Sequence, residues 1–78
     1  MEDDELGDLY VAFQRAYGSM HCHEALRLNR IIYEETFKRW RETEGGMKRS
    51  HFNELEGLTR TGEFLQKWIL HNPHLVED

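Results

Sequence analysis

The chain has 78 residues and a formal net charge of −5, with 32% charged and 12% aromatic residues. This length holds one domain, the aromatic content argues against disorder, and no apolar run is long enough to cross a membrane. We therefore expect one soluble, helix-rich domain over residues 1–78.

The first predicted helix spans about residues 3–17. Asp3 or Asp4 places a carboxylate at its start, where it opposes the positive end of the helix dipole. Gly18 is a natural stop. Apolar residues follow one another at the helical spacings of four, three and four: Leu6, Tyr10, Phe13 and Tyr17.

The second predicted helix, about residues 19–44, is the longest. Ser19 is its expected cap, and Gly45 is its expected left-handed terminator. The opposite side is charged and rich in pairs of opposite sign four residues apart, which favour a helix. At 100° per residue, one face predicted to be buried holds Cys22, Leu26, Asn29, Tyr33, Phe37 and Trp40.

The third predicted helix runs from about residue 50 to 71, with Ser50 as cap and Pro73 as stop. Two glycines and two threonines within residues 57–62 weaken helix propensity, so this stretch either continues the helix or forms a turn. Residues 74–78 are expected to be a loose tail. The predicted fold class is all-α, a small bundle of three amphipathic helices, or four if residues 57–62 turn.

Histidines and the single cysteine suggest metal or nucleophilic chemistry at His21-Cys22-His23. On a helix, however, His21 and His23 point about 200° apart and cannot chelate one ion. Cys22 lies on the apolar face, where a cysteine behaves as an inert small hydrophobe. We therefore expect no catalytic site, no metal and no cofactor. A metal held between two subunits by such histidines is the alternative left open.

A single cysteine cannot form an internal disulfide, which favours a reducing compartment. Four of the first five residues are acidic where a signal peptide would be basic. The sequence is thus interpreted as that of a cytoplasmic protein.

A chain this small with no disulfide has little net stability of its own, so we expect a homodimer or a subunit of a complex. Asn29 on the buried stripe must find a hydrogen-bond partner, and two are open: a group of its own chain, or its symmetry mate in a dimer, where it would fix register. Gly62 would let two helices approach closely. The predicted dimer interface is Asn29, Leu55, Leu58, Gly62, Leu65 and Ile69.

The predicted function is that of a non-enzymatic, small acidic interaction module. It would act as an adaptor, regulator or inhibitor on a larger protein, as bacterial accessory and phage-encoded proteins do. Residues 27–49 carry seven basic against four acidic side chains. We expect steering by cations and anchoring by exposed aliphatic groups. The predicted protein-binding residues are Arg39, Arg41, Lys48, Arg49, Ile31 and Leu28.

The alternative is a dimeric nucleic-acid-associated regulator that uses the basic region 38–49. The net negative charge disfavours nucleic acid and anionic lipid at long range, so nucleic acid ranks second and no membrane partner is expected. Steep salt dependence of binding would separate this alternative from a protein interface.

Overall fold

A computed structural model describes residues 3–43, 45–46 and 48–78. Three helices follow one another along the chain, α1 (Asp3–Gly18), α2 (Cys22–Glu42) and α3 (Arg49–His71), and a 3-10 turn follows at Pro73–Leu75. No strand occurs within these ranges. The predicted all-α bundle is confirmed, and residues 57–62 continue α3 as a helix.

The central helix α2 packs against both α1 and α3, whereas the backbones of α1 and α3 do not approach each other within the described residues. The connections between successive helices are short, so α1 and α3 both run antiparallel to α2. The core cluster joins all three helices through Ala16, Ala25, Leu28 and Leu65. Ile32 on α2 is only 1% exposed.

Two threonine hydroxyls in the glycine-containing middle of α3 bond to the preceding turn of the same helix. The hydroxyls of Thr59 and Thr61 donate hydrogen bonds to the carbonyl oxygens of Leu55 and Gly57, four residues earlier, each at 3.0 Å. These bonds satisfy the hydroxyls inside the helix instead of offering the backbone a turn. Packing against α2 then outweighs the low helix propensity of this stretch.

The turn between α1 and α2 differs from the expected one. Ser19 does not cap α2; its hydroxyl donates to the Arg15 carbonyl oxygen at 2.6 Å and so finishes α1. The left-handed residue is Met20, with φ of 63°, rather than Gly18. Since Ser19 and Met20 are used in the turn, α2 begins at Cys22.

The N-terminus of α2 is capped from the far end of the sequence. His21 at the N-cap position makes no side-chain capping bond. The Asp78 carboxylate accepts hydrogen bonds from the backbone amides of His23, at 3.0 Å, and Glu24, at 2.7 Å. The Glu77 amide also donates to the Met20 carbonyl oxygen at 2.9 Å. The expected loose tail is therefore docked, because its carboxylate meets the unpaired amides of a helix start.

The connection between α2 and α3 is closed by local bonds and one ring stack. Thr43 is the C-cap of α2; Glu44, the expected last residue of that helix, lies outside the described residues. The Lys48 amide donates to His51 Nδ1 at 3.0 Å, so α3 starts at Arg49 with His51 in the capping role. The His51 ring also stacks on Trp40, with 3.8 Å between centroids and 5° between planes.

Candidate interaction surfaces

The basic residues predicted to bind a partner lie at the end of the molecule where α2 joins α3. Arg41, Lys48 and Arg49 are exposed there, as is Lys38. Arg39 is half-buried and interacts with other groups of the chain. Because α1 runs antiparallel to α2, its acidic start lies at the same end, where Glu5 is exposed. The basic residues therefore form a patch on one side of this end, with acidic residues nearby.

Phe37 was predicted to be buried, and this prediction is wrong, since its side chain is 38% exposed. Its ring stacks on Tyr33, with 6.5 Å between centroids and 12° between planes. The guanidinium carbon of Arg41 lies 5.9 Å from the Phe37 ring centre, a cation–π distance. Tyr33, Phe37 and Arg41 thus contact one another along α2. Together with the exposed cations at the same end of the molecule they are called the basic-aromatic surface, which consists of Tyr33, Phe37, Lys38, Arg41, Lys48 and Arg49.

The two aliphatic residues predicted to anchor a partner are placed differently. Leu28 is only 5% exposed and belongs to the core cluster, so it cannot contact a partner as predicted. Its position on α2 faces α1 and α3 rather than solvent, because the buried stripe of α2 is wider than a single row. Ile31 is half-buried.

The residues assigned to a dimer interface pack inside one chain. Asn29 is 5% exposed, and its amide donates to the Leu58 carbonyl oxygen at 3.2 Å. A Cβ on Gly62 would lie 2.8 Å from Asn29 Oδ1, so the glycine allows α2 and α3 to approach. Leu55 and Leu65 are buried, and Leu58 and Ile69 are half-buried. This seam is the α2–α3 contact, and a dimer requires another surface.

An apolar depression opens where α1 and α3 face each other across α2. The central part of this depression has a volume of about 540 Å³. Tyr17 and Phe64 on its walls are 45% and 50% exposed. Adjoining hollows extend it in both directions, and we call the whole the α1–α3 groove, with walls formed by Tyr10, Phe13, Tyr17, Thr61, Phe64 and Trp68.

Charge is sparse along the α1–α3 groove. Of the described residues that line it, only Arg60 is charged, and its guanidinium pairs with Glu56 at 2.7 Å. At one end, burial and the neighbouring negative charge of Glu54 raise the pKa of Tyr10. At the other end, the buried Trp68 Nε1 has no acceptor among the described residues. Sequence reasoning missed this groove because its aromatic residues have ordinary core spacing.

Cys22 is buried, and the two histidines beside it have partners within the chain. Cys22 is 3% exposed, and burial, together with the negative charge of Asp78, raises the pKa of its thiol. A raised pKa disfavours the thiolate that nucleophilic chemistry requires. His21 Nδ1 lies 2.8 Å from the Ser19 hydroxyl, and His23 Nδ1 lies 3.2 Å from an Asp78 carboxylate oxygen.

Two further features were sought within the described residues. No cluster of three or more histidine, cysteine or acidic side chains there is arranged to hold a metal ion. None of the helices there combines the length and apolar character that crossing a membrane requires.

No protein-family model matches the sequence, and comparisons with curated proteins and with solved structures yield no match either. The function must therefore be argued from the surfaces themselves.

Proposed function

We propose that this chain is a non-enzymatic protein-interaction module that binds an acidic surface of a larger protein through its basic-aromatic surface. The observation that carries the proposal is the exposed Phe37 ring, stacked on Tyr33 and covered by the Arg41 guanidinium. Aromatic and arginine side chains supply most of the binding energy at protein interfaces. The exposed ring would anchor the contact, and the surrounding cations would steer it.

A buried cysteine with a raised thiol pKa supports the non-enzymatic part of this proposal. The free thiol also suits a reducing compartment, so we propose that the module acts in the cytoplasm as an adaptor, regulator or inhibitor.

A second candidate function is binding of single-stranded nucleic acid at the same surface. The exposed Phe37 ring beside Arg41 is an arrangement on which a base can stack. The net charge of −5 and the acidic start of α1 at the same end repel the phosphates of a nucleic acid more strongly than they repel a protein surface. We therefore rank protein binding first.

The test is capture of partners by the tagged chain from a lysate of its source, with and without nuclease. We expect a stoichiometric protein that survives nuclease and is lost with Arg41→Glu and with Phe37→Ser. Leu70→Ser is the matched control, because Leu70 is 75% exposed and lies at the other end of the molecule.

Capture of nucleic acid, with loss of all protein after nuclease, would favour the second candidate. That outcome predicts a steep salt dependence, because each neutralised phosphate releases counterions. Equal capture by wild type and both surface variants would contradict the involvement of the basic-aromatic surface.

A further inference from the structure

We propose that His51 is a pH-sensitive latch at the start of α3, which holds the first turn of that helix closed while its ring is neutral and releases the turn on protonation. Lys48 and Arg49, two cations of the basic-aromatic surface, lie on the segment that this latch controls. The latch operates within the free chain, and only its effect on a partner rests on the proposed function.

The hydrogen bond at the start of α3 fixes the protonation state of the ring. The Lys48 amide donates to His51 Nδ1 at 3.0 Å. A backbone amide can only donate, so Nδ1 is unprotonated and the neutral ring carries its proton on Nε2. In a protonated histidine both ring nitrogens are donors. Protonation at Nδ1 therefore sets two N–H groups against each other, and the bond to Lys48 is lost.

The contact that His51 makes is usually made by a glutamate or a glutamine. In a capping box, such a residue at the third helical position accepts the amide of the N-cap residue. His51 is the third residue of α3, and Lys48 is its N-cap residue. The first turn of α3 contains no acidic residue. The cap therefore depends on a histidine, the side-chain type whose charge ordinarily changes between about pH 5 and pH 8.

The surrounding charges would move a protonated ring away from the start of α3. This end of the helix is the positive end of its dipole. Glu54 lies three residues after His51 on α3, but its carboxylate already interacts with Tyr10 of α1. The charged residues that the structure describes from the last turn of α2 to Glu54 are Arg39, Arg41, Glu42, Lys48, Arg49 and Glu54. Most of them are basic, so a positive ring gains little by staying beside the Lys48 amide.

The ring stack on Trp40 determines which part of the structure opens. The Trp40 and His51 rings lie 3.8 Å apart between centroids, with 5° between planes. A cation on the face of a tryptophan is attracted to it, so protonation does not by itself break this stack. Opening is therefore confined to the first turn of α3, where the His51 and Phe52 amides donate to the Lys48 carbonyl oxygen at 3.0 Å and 3.3 Å. Lys48 and Arg49 lose their fixed positions with that turn.

The test follows the ring nitrogens of His51 and the amides of the first turn of α3 by nuclear magnetic resonance, in the purified full chain from about pH 8 to about pH 5. At the upper end we expect the ring proton on Nε2. On acidification the Lys48 amide resonance should move with the same midpoint as the ring. Protection of the His51 and Phe52 amides from hydrogen exchange, corrected for the intrinsic effect of pH, should fall about two- to thirtyfold, the range for loss of a helix cap.

Two variants separate the cap from the stack. His51→Gln keeps an acceptor that does not titrate, so the first turn should stay closed, and its protection should change less than about twofold across this pH range. His51→Phe keeps an aromatic ring beside Trp40 but has no acceptor, so the turn should be open throughout the range. His71→Gln is the matched control, because His71 is exposed at the far end of the same helix, and it should leave the wild-type response unchanged.

A neutral His51 ring that carries its proton on Nδ1 would overturn the proposal. So would a Lys48 amide that does not respond when the ring is protonated, or a His51→Gln chain that keeps the wild-type response. All of these measurements are made on the chain without a partner. Their outcome is therefore independent of whether a partner is captured through Phe37 and Arg41.

Discussion

At the scale of single residues, the closest packing in the molecule is at Asn29 and Gly62. Asn29 is a polar side chain on the buried face of α2, and its amide donates to the Leu58 carbonyl oxygen. Gly62 leaves the space that the Asn29 side chain occupies. The unusual residue types of this seam were recognisable from the sequence, but their partner was not, because a helical pattern gives a direction and not a neighbour.

We expect Gly62→Ala to destabilise the fold by about 1–3 kcal/mol, the cost of leaving a buried polar group without its hydrogen bond. The new Cβ would lie 2.8 Å from Asn29 Oδ1, so the Asn29 side chain must move. Gly57→Ala is the control on the same helix; with nothing within 4 Å, it should stabilise the chain by up to about 1 kcal/mol. Urea unfolding at a concentration where the chain is monomeric measures both, and equal effects would contradict the role of Gly62.

Phe37 shows why exposure was harder to predict than helicity. On α2 it lies toward the edge of the apolar face, about 80° from Asn29 at 100° per residue. The neighbouring helices cover the centre of that face, where Ile32 and Thr36 are 1% and 2% exposed. The edge is left open to solvent. A stripe of apolar residues shows which side of a helix faces inward. The positions of α1 and α3 determine how much of that side is covered.

At the scale of secondary-structure elements, the three helices were predictable and their ends were not. Periodicity identified each helix. Gly45 has the expected positive φ, 89°, but it lies in the connection after the extended C-cap Thr43 and does not itself end α2. The start of α2 moved from Ser19 to Cys22, because its cap comes from Asp78. A cap supplied by a residue so distant in sequence leaves no local signal to read.

Asp78→Asn should lower the stability of the chain near neutral pH, by an amount that disappears in acid. Burial opposes ionisation of Asp78, but hydrogen bonds from the Glu24 and His23 amides and from the His23 ring outweigh it and lower the pKa of Asp78. A carboxyl group whose pKa is lower in the folded chain stabilises the fold at pH values above its unfolded pKa of about 3.9. This stabilisation is lost as the pH falls through the folded pKa.

Urea unfolding followed by far-UV circular dichroism, from about pH 3 to pH 7, measures this difference. Replacement of a capping residue by alanine costs about 0.5–2 kcal/mol, and the lower part of this range applies to Asp78→Asn because asparagine keeps one acceptor oxygen. Glu77→Gln, which removes a neighbouring exposed charge, is the control. A difference between wild type and Asp78→Asn that is unchanged at low pH would contradict the charged cap.

At the scale of the whole molecule, the fold is thin and elongated, with principal extents of 46 × 23 × 13 Å. Only seven hydrophobic residues among those described are buried. Such a core gives modest stability, as the length of the chain implies. The fold class followed from this length and from the amphipathic helices. The two exposed surfaces did not, because they arise from how the helices are placed side by side.

Modification of Cys22 should report unfolding of the bundle. The thiol is 3% exposed, and its raised pKa further limits the reactive thiolate. We expect a thiol reagent to label native protein at least about a hundredfold more slowly than unfolded protein, with a rate that rises with urea in step with global unfolding. The chain in concentrated denaturant supplies the reference rate. Fast labelling without denaturant would show that the α1–α2 turn opens independently.

The two outer helices differ in the kind of contact they make with α2, which has a consequence for cooperativity. Both pack their backbones against α2, but α3 is also joined to it by the Asn29 bond and by the ring stack of Trp40 and His51. The free energy of opening should therefore differ along the chain, with α1 detaching before α2 and α3 separate. Amide hydrogen exchange would show this as a step in protection, with early exchange in α1 and slow, concerted exchange in the α2–α3 hairpin.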